Sequence, residues 1–167
     1  MNKKILYIFM VILWMALVFF FSHQQAKVSS ATSGNTIRMI IDLFSNIRNI
    51  EENEKEQIVT KLQTIVRKLA HFSIYTLGGM LIYNFINTYD LDNKRKMIYS
   101  FIIGGFYAVT DEFHQLFIEG RSGELRDICI DSSGILFGIL LILLLNKIKK
   151  HFFLIKNKIF YQETCKK

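Results

Sequence analysis

Long apolar stretches are the feature that most limits how this chain can fold. Four of them, at residues 5–22, 67–86, 97–116 and 127–146, come close to the roughly 20 residues that a helix needs to cross about 30 Å of hydrocarbon. Because 51% of the chain is apolar and its mean hydropathy is positive, a water-soluble globule is a poor fit. We therefore predict an all-α integral membrane protein, built as a four-helix transmembrane bundle.

The first stretch could also be a signal peptide, because it is short and follows two lysines. The residues after it lack a small-x-small cleavage pattern, which favours a retained helix. The chain contains no proline, so straight helices are expected, and Gly134 and Gly138 should let two of them approach closely. Cys129 and Cys165 lie in unrelated segments, and we expect no disulfide.

A polar segment, residues 23–66, separates the first two spans. Apolar side chains recur in it at helical spacing over residues 37–44, and again over residues 58–69, where the pattern runs into the second span. The pattern predicts amphipathic interfacial helices between helices 1 and 2, lying on the membrane surface.

The distribution of Lys and Arg predicts the orientation. One side, formed by residues 1–4, 87–96 and 147–167, holds 12 of them in 35 positions, whereas the other side holds 7 in 54. We expect the denser side to be cytoplasmic, with both termini and the basic tail 147–167 inside and residues 23–66 outside. The basic residues punctuate apolar runs and form no stripe with interleaved aromatics, so the expected partner is the lipid bilayer and not nucleic acid.

Polar and ionisable side chains gather at the predicted outer ends of all four spans. Charges near the hydrocarbon are costly and are therefore candidates for function. The set comprises Ser22, His23 and Gln24 in or after span one, Arg67, Lys68, His71 and Tyr75 in span two, Asp111, Glu112, His114 and Gln115 in span three, and Asp127 and Asp131 in span four. Residues three or four apart share a helix face, so three faces could close on one pocket. The loop between spans three and four adds Arg121, which suits phosphate or carboxylate.

A purely structural interpretation fits many of the same residues. Arg67 and Lys68 can snorkel to the interface as ordinary helix-end residues. The carboxylates of span three can form an internal network that fixes helix register, and His23 can be a helix-end residue without further function.

Three blocks of sequence resemble the VanZ-like membrane proteins. They are Phe-Phe-Ser-His-Gln at the end of span one, Arg67-Lys68-Leu-Ala-His71-Phe-x-x-Tyr75 in span two, and Asp111-Glu112-x-His114-Gln115 followed by Gly120-Arg121, Asp127 and Asp131. The resemblance covers about residues 6 to 146 and implies a cell-envelope setting, because the family is named for a protein linked to resistance against the glycopeptide teicoplanin. Two features depart from it: Glu119 stands where proline is expected, and the segment after span one is long.

Binding of an anionic lipid-linked or cell-wall precursor at the outer membrane face is the function that we expect first. Arg67, Lys68 and Arg121 would contact its phosphate or carboxylate. Further ligand contacts are expected from the remaining polar residues, namely Ser22, Gln24, His71, Tyr75, Gln115, Asp127 and Asp131.

A membrane-embedded hydrolase or transferase is the alternative. His114 would act as general acid or base, oriented by Asp111, with His71 as its partner. In a variant, a divalent metal such as Mg²⁺ or Mn²⁺ would lie between Asp127, Asp131 and either Asp111 or Glu112. A proton or ion path would need polar groups at mid-membrane, and the apolar inner halves of spans three and four argue against one.

Overall fold

Five α-helices make up most of the part of the chain that the computed structural model describes, which is residues 2–24, 26–45, 52–121 and 123–164. They are α1 (Lys3–Ser22), α2 (Ala26–Ser45), α3 (Glu52–Ile86), α4 (Asn93–Gln115) and α5 (Leu125–Thr164). These ranges contain no strand, so the all-α prediction is confirmed for them. Cys165 and residues 46–51 of the polar segment lie outside the described residues.

Three of the described helices are long and apolar enough to cross a bilayer: α1, the Asn53–Ile86 part of α3 and the Leu125–Lys156 part of α5. The charged residues near both ends of α4 keep it out of this group. Its 23 residues nevertheless extend about 34 Å, which matches the thickness of a membrane. The fourth span, at residues 97–116, therefore stays a prediction.

Of the two predicted interfacial helices, the first lies within the separate helix α2, and the second is not separate from span two. Residues 58–69 continue without a break into the second span, so that α3 is one helix of 35 residues. Nothing in residues 52–77 ends a helix, because this stretch contains neither glycine nor proline. α2 packs against α3, with Ile37 and Val59 buried. In the same way α5 runs on into the basic tail.

Helices α3 and α5 form the central pair, and their backbones touch. A Cβ atom added at Gly138 would lie 2.1 Å from the carbonyl oxygen of Thr76, and one added at Gly134 would lie 2.6 Å from that of Phe72. The predicted packing role of these two glycines is confirmed. Ile135 is fully buried beside them.

Trp14 holds α1 against the other helices. It is 2% exposed, and its indole N–H donates a hydrogen bond of 2.8 Å to the carbonyl oxygen of Ile74 in α3. Its ring lies against Tyr75 and Tyr107, while the hydroxyl of Tyr107 donates to the Met15 carbonyl at 2.6 Å. This contact aligns α1 with α3 and α4 and brings their polar ends to the same level.

Replacement of Gly138 by alanine should destabilise the protein, because its methyl group would overlap the Thr76 backbone and force α3 and α5 apart. We expect a loss of about 1–3 kcal/mol, seen as a lower thermal unfolding midpoint in detergent. The matched control is Gly105→Ala in α4, where the nearest atom to the new methyl group lies at 3.9 Å. Equal midpoints for the two variants would contradict the close packing of α3 and α5.

Candidate functional site

Asp111 of α4 joins three helices through one carboxylate oxygen. The residue is 4% exposed, and its Oδ2 accepts hydrogen bonds from Ser22 Oγ at 2.9 Å, Tyr75 OH at 3.0 Å and Gln115 Nε2 at 3.2 Å. The donors belong to α1, α3 and α4 itself. Hydrogen bonds to a charged acceptor are stronger than neutral ones, so this network fixes the relative positions of α1, α3 and α4 at this level.

Glu112, the next residue, holds the beginning of α5. It is 3% exposed; its Oε2 accepts the backbone N–H of Glu124 at 3.1 Å, and its Oε1 accepts Gln115 Nε2 at 3.1 Å. A carboxylate at a helix N-terminus is stabilised by the unpaired N–H groups and by the helix dipole. Two glycines allow the tight turn of this loop. Gly120 has a φ of 74°, and Gly123 lies so close to the Glu112 carbonyl oxygen that a Cβ atom would not fit between them.

Arg121 fastens the same loop to the end of α1. Its Nε donates to the carbonyl oxygen of Gln24 at 2.9 Å, its Nη2 to that of Phe21 at 3.3 Å, and its Nη1 to Gln115 Oε1 at 3.1 Å. Burial lowers the pKa of the Arg121 guanidinium, and the neighbouring charge of Arg67 lowers it further. Gln24 thus contributes its backbone carbonyl to this contact.

A cavity of about 60 Å³ lies between α3, α5 and the loop before α5. Its wall includes Arg67, Lys68, His71, Arg121, Asp127 and Asp131. Lys68 is neutralised by Asp127, since Nζ lies 2.5 Å from Oδ1. Arg67 is half-buried and has no hydrogen bond or ion pair within the described residues. The cavity has room for a few water molecules or a small charged group.

One helical turn further along α3, His71 lies beside two buried carboxylates. One oxygen or nitrogen from each of His71, Asp111 and Asp131 lies within 4.8 Å of the other two. The Nδ1 atom of His71 is 3.6 Å from Asp131 Oδ1, which is slightly too far for a hydrogen bond. Asp131 is fully buried, and within the described chain neither of its oxygens has a hydrogen-bond partner. Among the described residues, these three form the group that could hold a metal ion.

His114 faces a different neighbour. Its ring stacks on Phe19 with centroids 4.5 Å apart, and its Nε2 lies 3.3 Å from His23 Nδ1. In the described part of the chain no hydrogen bond links His114 to Asp111, the carboxylate that was predicted to orient it. His71 is instead the histidine beside the buried carboxylates.

The structure brings most of the predicted site residues together at one level, beside the end of α1, the end of α4, the middle of α3 and the beginning of α5. Ser22, Tyr75, Asp111 and Gln115 form one network, while Arg67, Lys68, His71, Arg121, Asp127 and Asp131 surround the cavity. Asp127, a predicted metal ligand, is paired with Lys68, and His71 takes its place beside Asp111 and Asp131. The sequence interpretation missed the role of Trp14 in holding α1 against α3. The one indication in the sequence was a large aromatic ring with an N–H donor in the middle of a span. The binding and catalytic roles of all these residues stay predictions.

Replacement of Tyr75 by phenylalanine should lower stability by about 1–2 kcal/mol, because it removes a buried donor to the Asp111 carboxylate. Tyr83→Phe is the matched control, since Tyr83 lies on the same helix, is 2% exposed and has no hydrogen bond in the described chain. Thermal unfolding of the two purified variants in one detergent compares them. A Tyr75→Phe variant as stable as Tyr83→Phe would show that the Asp111 network does not hold the helices.

Comparison with known families adds one finding. Residues 7–146 match the protein-family model described as VanZ/LLP1. The matched range includes every residue of the Asp111 network and of the cavity wall named above. No curated protein and no solved structure matches the chain.

Proposed function

This chain belongs to the VanZ/LLP1 family of membrane proteins, and we propose that it binds an anionic lipid-linked or cell-wall ligand at the outer face of a bacterial cell membrane. The observation that carries this proposal is Arg67, a half-buried residue on the cavity wall whose guanidinium has no anionic partner in the described chain. A guanidinium in such a place gains most from a carboxylate or phosphate, which it can bind through two parallel hydrogen bonds.

The two guanidinium groups on the cavity wall, those of Arg67 and Arg121, also favour an anion beside them. Lys68 is matched by Asp127, but Arg121 donates to two backbone carbonyls and an amide, none of which carries charge. Repulsion from the charge of Arg67 lowers the pKa of Arg121. One phosphate or carboxylate placed between them would relieve that repulsion and bring both guanidinium groups an opposite charge.

The membrane placement belongs to the same proposal. We infer that α4 is the fourth span, because its polar end meets the polar ends of α1, α3 and α5 at one level. With the basic tail inside, these ends lie outside, where cell-wall precursors and glycopeptides meet. Binding of such a precursor would give the protein an influence on teicoplanin susceptibility, as its family name suggests.

A membrane hydrolase or transferase is the second candidate, and the pairing of His71 with Asp131 favours it. An imidazole beside a buried carboxylate can accept or donate a proton at the cavity wall. Such an enzyme would use the same anionic lipid as substrate. His114, which contacts His23 and Phe19, is less suited to this role.

Replacement of Arg67 by glutamine should weaken binding of an anionic ligand by at least about tenfold, the loss expected for a charged hydrogen bond. The probes are a polyprenyl phosphate and phosphatidylglycerol, measured by native mass spectrometry of the full chain released from detergent. Arg95→Gln is the matched control. Arg95 is exposed near the beginning of α4, beside Asp92, whereas the cavity lies near the other end of that helix. Equal affinity of the two variants for both probes would reject the anion site.

The enzyme candidate predicts that His71→Gln abolishes turnover of a radiolabelled envelope lipid by the purified protein. His114→Gln should keep that turnover, because His114 has no hydrogen bond to the buried carboxylates. An unmodified chain that binds the lipid but leaves it unchanged, with and without divalent metal, would leave binding as the function and remove catalysis.

A further inference from the structure

Asp131 is the residue whose surroundings the protein leaves incomplete. Its side chain is 0% exposed, it lies on the wall of the cavity, and both of its oxygens lack a hydrogen-bond partner in the described chain. Burying an ionised carboxylate without partners is costly, because it loses its hydration and gains nothing in return. His71, with Nδ1 at 3.6 Å from Oδ1, is an ion-pair neighbour of Asp131, but it leaves both oxygens without a hydrogen bond and therefore open to a further ligand.

His71 and Asp111 complete a set of three possible ligands around the same space. One atom from each of the three residues lies within 4.8 Å of the other two. Within the described residues Asp111 accepts hydrogen bonds only at Oδ2, so its Oδ1 is available for a ligand. Two ligand atoms that each lie about 2.1 Å from one ion are at most about 4.2 Å apart. To bind the ion, the ligand atoms of the three side chains would therefore move inward by about an ångström or less.

The charge balance points the same way. Asp111 and Asp131 are two buried carboxylates, and His71 can supply at most one positive charge. The neighbouring cations do not pair with these two carboxylates. Lys68 pairs with Asp127, and Arg121 donates to the end of α1 and to an amide. Arg67 has no ion pair in the described chain. A divalent cation would neutralise the remaining negative charge where no side chain does.

We propose that His71, Asp111 and Asp131 bind one divalent transition-metal ion, such as Mn²⁺ or Zn²⁺, with water in its remaining positions. One imidazole nitrogen with two carboxylate oxygens suits these ions better than Ca²⁺, which prefers oxygen ligands alone. The ligands come from α3, α4 and α5, so the ion would also tie these helices together. The inference goes beyond the anion site and does not depend on it, because Arg67 is not a ligand.

Metal binding by the full chain, purified in detergent without chelator, tests this site. The protein is stripped with EDTA and titrated with Mn²⁺, followed by the electron paramagnetic resonance of the free ion, and with Co²⁺, followed by visible absorption. We expect about one ion per chain, Co²⁺ bands typical of mixed nitrogen and oxygen ligands, and a higher thermal unfolding midpoint with metal. Asp131→Asn and His71→Gln should each weaken Mn²⁺ binding by more than about 100-fold.

Asp127→Asn is the matched control, since it makes the same substitution one helical turn away and removes the pair with Lys68 but no ligand. It should bind Mn²⁺ nearly as well as the unmodified chain, and so should Arg67→Gln, which separates this site from the anion site. Equal loss in Asp127→Asn would overturn the ligand set. If the ligand variants fail to fold, the unmodified chain decides: no Co²⁺ bands and no gain in unfolding midpoint would overturn the site.

Discussion

The hydrogen bonds to the buried Asp111 carboxylate are the interaction on which the rest of the arrangement depends. Ser22, Tyr75 and Gln115 would each lose their partner if α1, α3 or α4 slid along its neighbour, and unpaired polar groups are costly where water is scarce. Glu112 extends the constraint to the beginning of α5. These two adjacent carboxylates therefore hold in register the helices that carry the cavity wall.

Much of this arrangement can be predicted from the sequence. Span length predicts the helices, and the three- and four-residue spacing of polar side chains predicts that they meet at one end. The partners of each residue cannot be predicted in this way. Asp111, Glu112 and His114 lie within one turn of α4, yet rotations of about 100° per residue direct them to different neighbours. Which helix lies in each direction follows from packing that local periodicity does not encode, and for that reason His71 and not His114 lies beside the carboxylates.

The cavity combines groups of opposite charge within a short distance. Arg67 and Arg121 lie on the side of the loop, and His71 and Asp131 lie one turn further along the helices. In our proposals the first pair binds an anion from the membrane or the cell wall, and the second belongs to a metal site. A metal ion so near to a bound phosphate would strengthen its binding, and it would also supply the Lewis acid that an enzyme acting on that ligand requires.

The central claim is that Arg67 faces a binding site for an anion. A cryo-electron microscopy structure of the full chain in nanodiscs containing phosphatidylglycerol and a polyprenyl phosphate tests it most directly. The account predicts non-protein density within hydrogen-bonding distance of the Arg67 guanidinium, inside the cavity between α3 and α5. A closed cavity, with Arg67 paired to a carboxylate of the protein while both lipids are present, would contradict it.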